Sequence, residues 1–222
     1  MAKVINCLGD SRVRIFEYLE INRLLGSTKF TCTEAPGGTA LGMVNPNSTS
    51  DALNIFSDKL ESYNTSDNIL FMLGEVDCGF EIWYRSQKYG ISVNEQLAIS
   101  LNNYFGFLTK GNRLGFEKII ICTANPPTIK DGQTFGEVAN LRKEVKASQR
   151  ERTDLTILYN SYLRELCAKH GYLVLDTERY LLNLVTHLVD DRFLNSNPTD
   201  HHLDSPSIAP VYVQCLASLG FN

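Results

Sequence analysis

The sequence contains no apolar run long enough to cross a bilayer, and its 222 residues include a single tryptophan. Its opening residues turn polar at Gly9-Asp10-Ser11, which is too early for a signal peptide. These absences predict a cytoplasmic protein with no membrane partner.

Charge of one sign is also lacking. The 21 basic and 25 acidic residues are mixed along the chain and give a net charge of −4. The densest basic stretch, residues 142–152, is interrupted by Glu144 and Glu151. The sequence therefore predicts no nucleic-acid partner.

No two of the six cysteines form a C-x-x-C pair, which argues against a zinc site. Cys7 and Cys122 lie inside apolar strand-like runs, where a thiol behaves as a small hydrophobic side chain. We expect reduced, buried cysteines, and neither a metal nor an organic cofactor.

Strand-like apolar runs alternate with amphipathic stretches along the whole chain. The predicted strands are 4–8, 30–33, 69–73, 118–123 and 172–175, and the predicted helices are 12–25, 51–62, 93–108, 152–168 and 206–219. This alternation predicts an α/β fold with a buried parallel sheet. Because no linker or internal repeat is visible, we expect one domain over residues 1–222.

Polar loops follow the predicted strands, and in a parallel sheet these loops share one edge. They contain Gly9-Asp10-Ser11, Pro36-Gly37-Gly38, Gly74-Glu75-Val76-Asp77, Asn125-Pro126-Pro127 and Thr199-Asp200-His201-His202. The sequence therefore predicts that the chemistry of the protein gathers on one side of the sheet.

Ser11 stands where the first strand ends and a helix begins. Such a position exposes a hydroxyl beside free backbone N–H groups, but it equally suits a serine that only caps the helix. A serine nucleophile needs a base, usually a histidine oriented by an acid. His201 and His202 follow Asp200 in a polar loop just before the last predicted helix, and they are the candidate bases.

Taken together, Gly9-Asp10-Ser11 after the first strand and His202-Leu203 before the last helix resemble the SGNH, or GDSL, hydrolases. In that family a serine of the first motif pairs with a histidine of a late D-x-x-H motif. The resemblance spans nearly the whole chain. It implies a flavodoxin-like three-layer α/β/α sandwich with a mainly parallel five-stranded sheet, in which Ser11, His202 and Asp200 are catalytic.

The resemblance also implies an oxyanion hole. Gly38 and Gly42 lie where the second family motif supplies a glycine, and Gly74 begins the segment that matches the third, G-x-N-D. At that third motif this chain has Val76 in place of the family's asparagine, and valine cannot donate a hydrogen bond. Asn45, just past the second motif, is a candidate replacement; the alternative is an ordinary turn residue beside proline.

The late motif departs from the family as well. Asp200 precedes His202 by two positions instead of three, so Asp200, Asp204 or a backbone carbonyl remains the candidate partner of the imidazole.

Three further side chains are candidates for substrate binding. Glu75 and Asp77 form a carboxylate pair that suits a sugar hydroxyl or a metal, or else hydrogen bonds to loop backbone. Trp83 lies in an aromatic run, residues 80–84, that suits either a platform for a sugar ring or core packing.

These features predict a serine ester hydrolase for a short acyl ester, such as an O-acetylated saccharide, acting through a covalent acyl-enzyme. An O-acyltransferase with the same site is one alternative. A non-catalytic ligand-binding protein that kept the fold is another, favoured by Val76 and the shifted Asp200. The oligomeric state is left open.

Overall fold

The computed structural model of the chain describes residues 3–116, 118–133, 135–141 and 143–222. Its five strands are β1 Val4–Gly9, β2 Lys29–Glu34, β3 Asn68–Met72, β4 Lys118–Cys122 and β5 Leu173–Leu175. Its α-helices are α1 Arg14–Ile21, α2 Ala52–Ser62, α3 Ile82–Tyr89, α4 Val93–Leu114, α5 Glu137–Leu141, α6 Gln149–His170, α7 Glu178–Leu181 and α8 Ser205–Ser218. All five predicted strands and the five predicted helices are present, with shifted ends.

The strands form one sheet in the order β2-β1-β3-β4-β5, and every neighbouring pair is parallel. Cys7 of β1 lies opposite Cys32 on one side and Leu70 on the other. This order is that of flavodoxin-like sheets, with the topological switch point between β1 and β3. The predicted fold class is thus confirmed, and the switch point is where Ser11 leaves the sheet.

Helices cover both faces of the sheet because alternate strand residues point to opposite sides. In β3, Phe71 belongs to an apolar cluster with residues of α2, α4 and α6, while Leu70 belongs to a second cluster with residues of α1 and α8. Phe16 of α1 and Tyr212 of α8 pack edge to face, 5.6 Å apart. Both aromatic rings are fully buried, so α8 is fixed against α1.

The sequence pattern does not predict α3 or the short helices α5 and α7. A π-helical turn, Asp77–Glu81, continues directly into α3. The aromatic run 80–84 spans the end of this turn and the start of α3. The hydrogen bonds of a π-helical turn join residues i and i+5. Its side chains therefore do not follow the 3.6-residue pattern that identifies an α-helix in sequence.

Among the described residues, none of the helices has both the length and the apolar character needed to cross a membrane. Cys7 and Cys122 are fully buried in β1 and β4, in agreement with their reading as hydrophobic core residues.

Candidate active site

Ser11 opens a short 3₁₀ helix, Ser11–Val13, directly after β1. The capping residue of that helix is Asp10, whose Oδ1 accepts a hydrogen bond of 2.8 Å from the Arg12 N–H. Gly9 allows the close approach of β3 here, since a Cβ at this position would lie 2.5 Å from the Met72 carbonyl oxygen. Capping is thus carried out by Asp10, which leaves the Ser11 hydroxyl available for another partner.

That partner is His202, whose Nε2 lies 2.7 Å from Ser11 Oγ. His202 stands in the loop before α8, and this loop is fastened on both sides. Leu203 forms an antiparallel bridge with Leu194, and the Asp204 N–H donates to the Phe193 carbonyl at 2.8 Å. The fixed loop thus holds the His202 imidazole at the end of β1, although His202 and Ser11 are far apart in the sequence.

Asp200 reaches the other side of the imidazole in spite of its shortened spacing. Its Oδ1 lies 2.6 Å from His202 Nδ1 and also accepts the backbone N–H of His202 at 2.9 Å. Its Oδ2 accepts a hydrogen bond of 3.1 Å from Asn195 Nδ2. The hydrogen bond from the His202 N–H to the Asp200 side chain forms a tight turn. This turn brings the carboxylate and the imidazole together although only one residue separates Asp200 from His202.

The other candidate acid, Asp204, is used elsewhere. It is the N-cap of α8 and accepts the Ser207 N–H at 3.0 Å through Oδ2. Partial burial acts to raise the pKa of Asp200, but the hydrogen bonds and charge of His202 outweigh it, and the net pKa lies below the usual value. A carboxylate can only accept, so Nδ1 of His202 carries the proton and Nε2 is the acceptor for the Ser11 hydroxyl.

Asp200, His201 and His202 form the group of potential metal ligands found among the described residues, with one ligand atom each within 4.8 Å of the others. Asp200 and both ring nitrogens of His202 already take part in the hydrogen-bonded chain that ends at Ser11. A metal ion bound by all three would have to disrupt that chain. The donor set therefore fits a Ser-His-Asp arrangement better than a metal centre.

Arg12, next to Ser11, carries a buried positive charge. Its Nη2 lies 2.6 Å from Glu75 Oε2, and its Nη1 lies 3.8 Å from Asp10 Oδ1. The side chains of Arg12 and Glu75 are only 6% and 2% exposed. Both Nη nitrogens are shielded from solvent. The ion pair thus fastens the Ser11 turn to the loop after β3, and the predicted substrate-binding role of Glu75 is not supported.

Asp77 likewise binds protein groups. It is fully buried, and its carboxylate accepts the N–H groups of Ala40 and Leu41 at 2.8 and 2.9 Å and the Ser100 hydroxyl at 2.7 Å. Burial raises its pKa, and these hydrogen bonds act in the opposite direction. Asp77 therefore shapes the loop after β2 from within, which agrees with the alternative of hydrogen bonds to loop backbone.

The glycines of the second motif use their amides inside that same loop. The Gly38 N–H donates to the Ala35 carbonyl at 2.9 Å, and the Gly42 N–H donates to the Thr39 carbonyl at 3.1 Å. Gly74 has a φ of +116°, and a Cβ there would lie 2.9 Å from the Tyr159 ring, so only glycine fits. The predicted oxyanion role of Gly38 and Gly42 is not supported, and Gly74 shapes the turn.

Two other predicted residues also lie in ordinary structural settings. Asn45 is exposed at the end of a 3₁₀ helix, and its Oδ1 accepts the Asn47 N–H at 3.0 Å in a turn. Trp83 packs against the core and donates from Nε1 to the Cys78 carbonyl at 2.8 Å. Neither residue lines the cavity at Ser11, so the structure does not support them as an oxyanion donor or a sugar platform.

A cavity of about 130 Å³ adjoins the Ser11 hydroxyl. We call it the Ser11 cavity; its lining includes Ser11, Asp200, His202, Asn125, Asn195 and the apolar Ile15, Leu203 and Ile208. It shares Asn195 and Asp200 with a neighbouring groove of about 230 Å³, whose lining includes Thr128, Lys130, Gln133, Phe135 and His201. The arrangement provides a small space of mixed polarity and a larger, mostly apolar one on either side of the Asp200 loop.

Sequence reasoning did not assign Asn125 or Asn195 to the site. Asn125 follows β4, and its loop lies at the same edge of the sheet as Ser11. The sequence feature that points to it is its place in a polar loop directly after a predicted strand. Asn195 had no such signal, because its contact with Asp200 depends on how the loop before α8 folds.

We expect Glu75→Gln to lower the free energy of unfolding by about 3 kcal/mol, because it leaves the buried Arg12 charge with only the more distant Asp10. Urea denaturation measures this change. The matched control is Glu34→Gln, which breaks the exposed Arg14–Glu34 pair, whose side chains are 58% and 22% exposed. That control should cost about 1 kcal/mol or less. Equal effects in the two variants would contradict the structural role given to the buried pair.

No protein-family model matches the chain, and no curated protein sequence matches it. Solved structures do match. A GDSL-like lipase from Bacteroides thetaiotaomicron has a TM-score of 0.59 and 8% identity over 98% of this chain and 87% of that one. A lipase/acylhydrolase from Enterococcus faecalis has a TM-score of 0.56 and 16% identity over 98% and 96%. An acetyl xylan esterase has a TM-score of 0.57 and 12% identity over 97% and 98%.

The fold is therefore that of the SGNH/GDSL hydrolases, as the motifs at Ser11 and His202 predict.

Proposed function

We propose that the protein is a serine ester hydrolase in which Ser11 is the nucleophile, His202 the general base and Asp200 its orienting acid. The observation that carries the proposal is the continuous hydrogen-bonded chain from Ser11 Oγ through both nitrogens of His202 to Asp200 Oδ1, with distances of 2.7 and 2.6 Å. The alternative, in which Ser11 only caps a helix, does not account for this chain of hydrogen bonds, because Asp10 and Asp204 cap the two helices next to Ser11 and His202.

The proposed reaction begins when Ser11 Oγ attacks the ester carbonyl and its proton moves to His202 Nε2. The carbonyl electron pair moves to oxygen, and the resulting imidazolium is stabilised by the Asp200 carboxylate. When the tetrahedral intermediate collapses, His202 gives the proton to the departing alcohol and Ser11 keeps the acyl group. Water, deprotonated by His202, then releases the acid and restores Ser11.

The pH dependence follows from the same assignment. A general base accepts the serine proton only in its neutral form, so activity should fall at acidic pH. Asp200 does not limit activity there, because its lowered pKa keeps it ionised well below the range in which an imidazole titrates.

The dimensions of the site support a short acyl group. The Ser11 cavity, at about 130 Å³, is the smaller of the two spaces and places Ile15, Leu203 and Ile208 around an acyl chain. The neighbouring groove offers Lys130, Gln133 and Asn195 together with Phe135, whose side chain is 49% exposed. Polar groups around an exposed aromatic ring suit a saccharide alcohol, and the structural similarity to an acetyl xylan esterase points the same way.

We expect acetyl esters of a given alcohol to be hydrolysed with a kcat/KM at least ~10-fold higher than hexanoyl esters, because the longer chain does not fit between Ile15, Leu203 and Ile208, and such a misfit in an apolar pocket is worth ~1–3 kcal/mol. A series of 4-nitrophenyl esters from acetyl to octanoyl measures this preference. A separate assay incubates the protein with an acetylated oligosaccharide and measures free acetate. Release of acetate distinguishes hydrolysis from transfer of the acetyl group to another alcohol. Hydrolysis that increases with chain length would contradict the proposed acyl pocket.

A further inference from the structure

The proposed reaction requires a hydrogen-bond donor to the oxyanion. The sequence has no side-chain donor at position 76, where the third motif of the SGNH hydrolases has asparagine. Val76 has no polar side chain, and the amides of Gly38 and Gly42 are engaged within their own loop. A tetrahedral intermediate on Ser11 places a negative charge on the former carbonyl oxygen, and a preorganised donor to that oxygen is among the largest single contributions to catalysis. The side-chain amides that line the Ser11 cavity are therefore candidates for this donor.

Two side-chain amides line that cavity, those of Asn125 and Asn195. Asn195 uses its Nδ2 to donate to Asp200 Oδ2 at 3.1 Å, so it supports the acid. Arg12 also lines the cavity, but its two terminal guanidinium nitrogens are shielded from solvent and face Glu75 and Asp10. Asn125 is the amide that remains.

The orientation of Asn125 is fixed by Tyr212. The Tyr212 hydroxyl donates to Asn125 Oδ1 at 3.0 Å, and burial raises the pKa of this tyrosine, so the hydroxyl keeps its proton. With Oδ1 occupied by a donor, Nδ2 is the atom of the amide that can donate to a group bound in the cavity that Asn125 lines. Asn125 itself is only 3% exposed, so the side chain is held by protein on its remaining sides.

The backbone around Asn125 is also rigid. Asn160 of α6 holds the preceding residue with two hydrogen bonds, accepting the Ala124 N–H at 2.8 Å and donating to the Ala124 carbonyl at 2.9 Å. On the other side, Gln149 donates to the Pro127 carbonyl at 3.0 Å. A side chain on such a segment loses little entropy when it binds a reacting group, as a preorganised donor requires.

We infer that Asn125 Nδ2 donates a hydrogen bond to the oxyanion formed when Ser11 attacks the substrate, and so takes the place of the asparagine that Val76 replaces. The inference rests on the proposed esterase function. Asn125 acts together with the N–H of Ser11, which opens a helix and belongs to the amides that lack intrahelical partners. Asn125 is therefore a catalytic residue, and Tyr212 is its positioning residue.

The test compares Asn125→Ala, Asn125→Asp and Asn45→Ala on 4-nitrophenyl acetate. Loss of a single side-chain donor should lower kcat by ~10²–10³ in both Asn125 variants. KM should change by less than about threefold, because the ester carbonyl of the ground state gains less from the donor than the oxyanion does. Asn45→Ala should retain kcat within about threefold. Asn125→Asp keeps the size of the side chain, so it remains informative if Asn125→Ala unfolds.

A second readout separates catalysis from structure. The phosphoryl oxygen of a fluorophosphonate occupies the oxyanion position, so the rate of Ser11 labelling should fall in the Asn125 variants while the melting temperature stays close to that of the native protein. Tyr212→Phe should lower kcat less than Asn125→Ala does, again without raising KM.

The outcomes distinguish this inference from the function on which it rests. A native protein that hydrolyses the ester, with both Asn125 variants within about threefold of it, overturns the role of Asn125 alone. A sharp loss in Asn45→Ala with normal Asn125 variants overturns it in favour of the loop after β2. A native protein that neither hydrolyses esters nor reacts with the fluorophosphonate overturns the proposed function, and the role of Asn125 with it.

Discussion

Replacing Ser11 by alanine should reduce ester hydrolysis by ~10⁴–10⁶-fold in kcat, because the nucleophile is lost while the residual site provides only weak catalysis. The stability should hardly change. Asp10 caps the local helix, and the Ser11 hydroxyl contributes one hydrogen bond, to His202. One such bond is worth ~1 kcal/mol, equivalent to a shift in melting temperature of ~2–4 °C for a chain of this size.

The matched control is Ser205→Ala, which removes another hydroxyl from the lining of the same cavity. Ser205 stands at the start of α8 behind its cap, Asp204, so its loss should leave kcat within about threefold. Turnover of 4-nitrophenyl acetate and a thermal melt measure both variants. An active Ser11→Ala, or equal losses in the two serine variants, would contradict the assignment of the nucleophile.

The second large effect is expected for His202→Ala, which should lower kcat by ~10⁴–10⁶-fold because Ser11 then has no base. His201→Ala is its natural control. The two rings are neighbours, with centroids 4.1 Å apart, but the ring of His202 is the one that contacts Ser11 and Asp200. His201 faces the adjoining groove, and its loss should cost less than about tenfold, chiefly in KM.

Steady-state kinetics of both histidine variants on one acetyl ester decide between the rings. The opposite ranking, with His201→Ala inactive and His202→Ala active, would contradict the hydrogen-bonded chain on which the proposed mechanism depends.

Much of the fold follows from local sequence patterns. The strands are continuous apolar runs because both faces of a parallel sheet are buried, and such runs are easy to recognise. The helix starts were less well predicted. The structure begins α6 at Gln149, three residues before the predicted start, because Ser148 and Glu151 form a capping box. That pair is legible in sequence as S-x-x-E, and it was the signal that would have corrected the boundary.

The candidate site divides in the same way. Ser11 and His202 are visible in sequence because each stands next to the end of a regular element. The sequence names Asp200 among the candidate partners of His202 but does not choose between them, since the contact depends on a side-chain turn within the loop and on Asn195. The Arg12–Glu75 pair is hidden for another reason: its members follow different strands, β1 and β3, and meet only because those strands are neighbours in the sheet.

The oxyanion hole shows where reasoning from motifs stops. A motif identifies the position at which a donor is missing, here Val76, but it does not say which other loop fills the space. Asn125, the donor that we propose, comes from the loop after β4, and its Oδ1 accepts a hydrogen bond from Tyr212 of α8. Such a substitution across elements requires the three-dimensional arrangement.

The central claim is that Ser11 is an activated nucleophile, and the most direct test is covalent labelling of the native protein by a fluorophosphonate, followed by peptide mass mapping. We predict a single adduct on Ser11, formed quickly in the native protein and very slowly in His202→Ala. No adduct on Ser11, or labelling at the same rate with and without His202, would contradict the account.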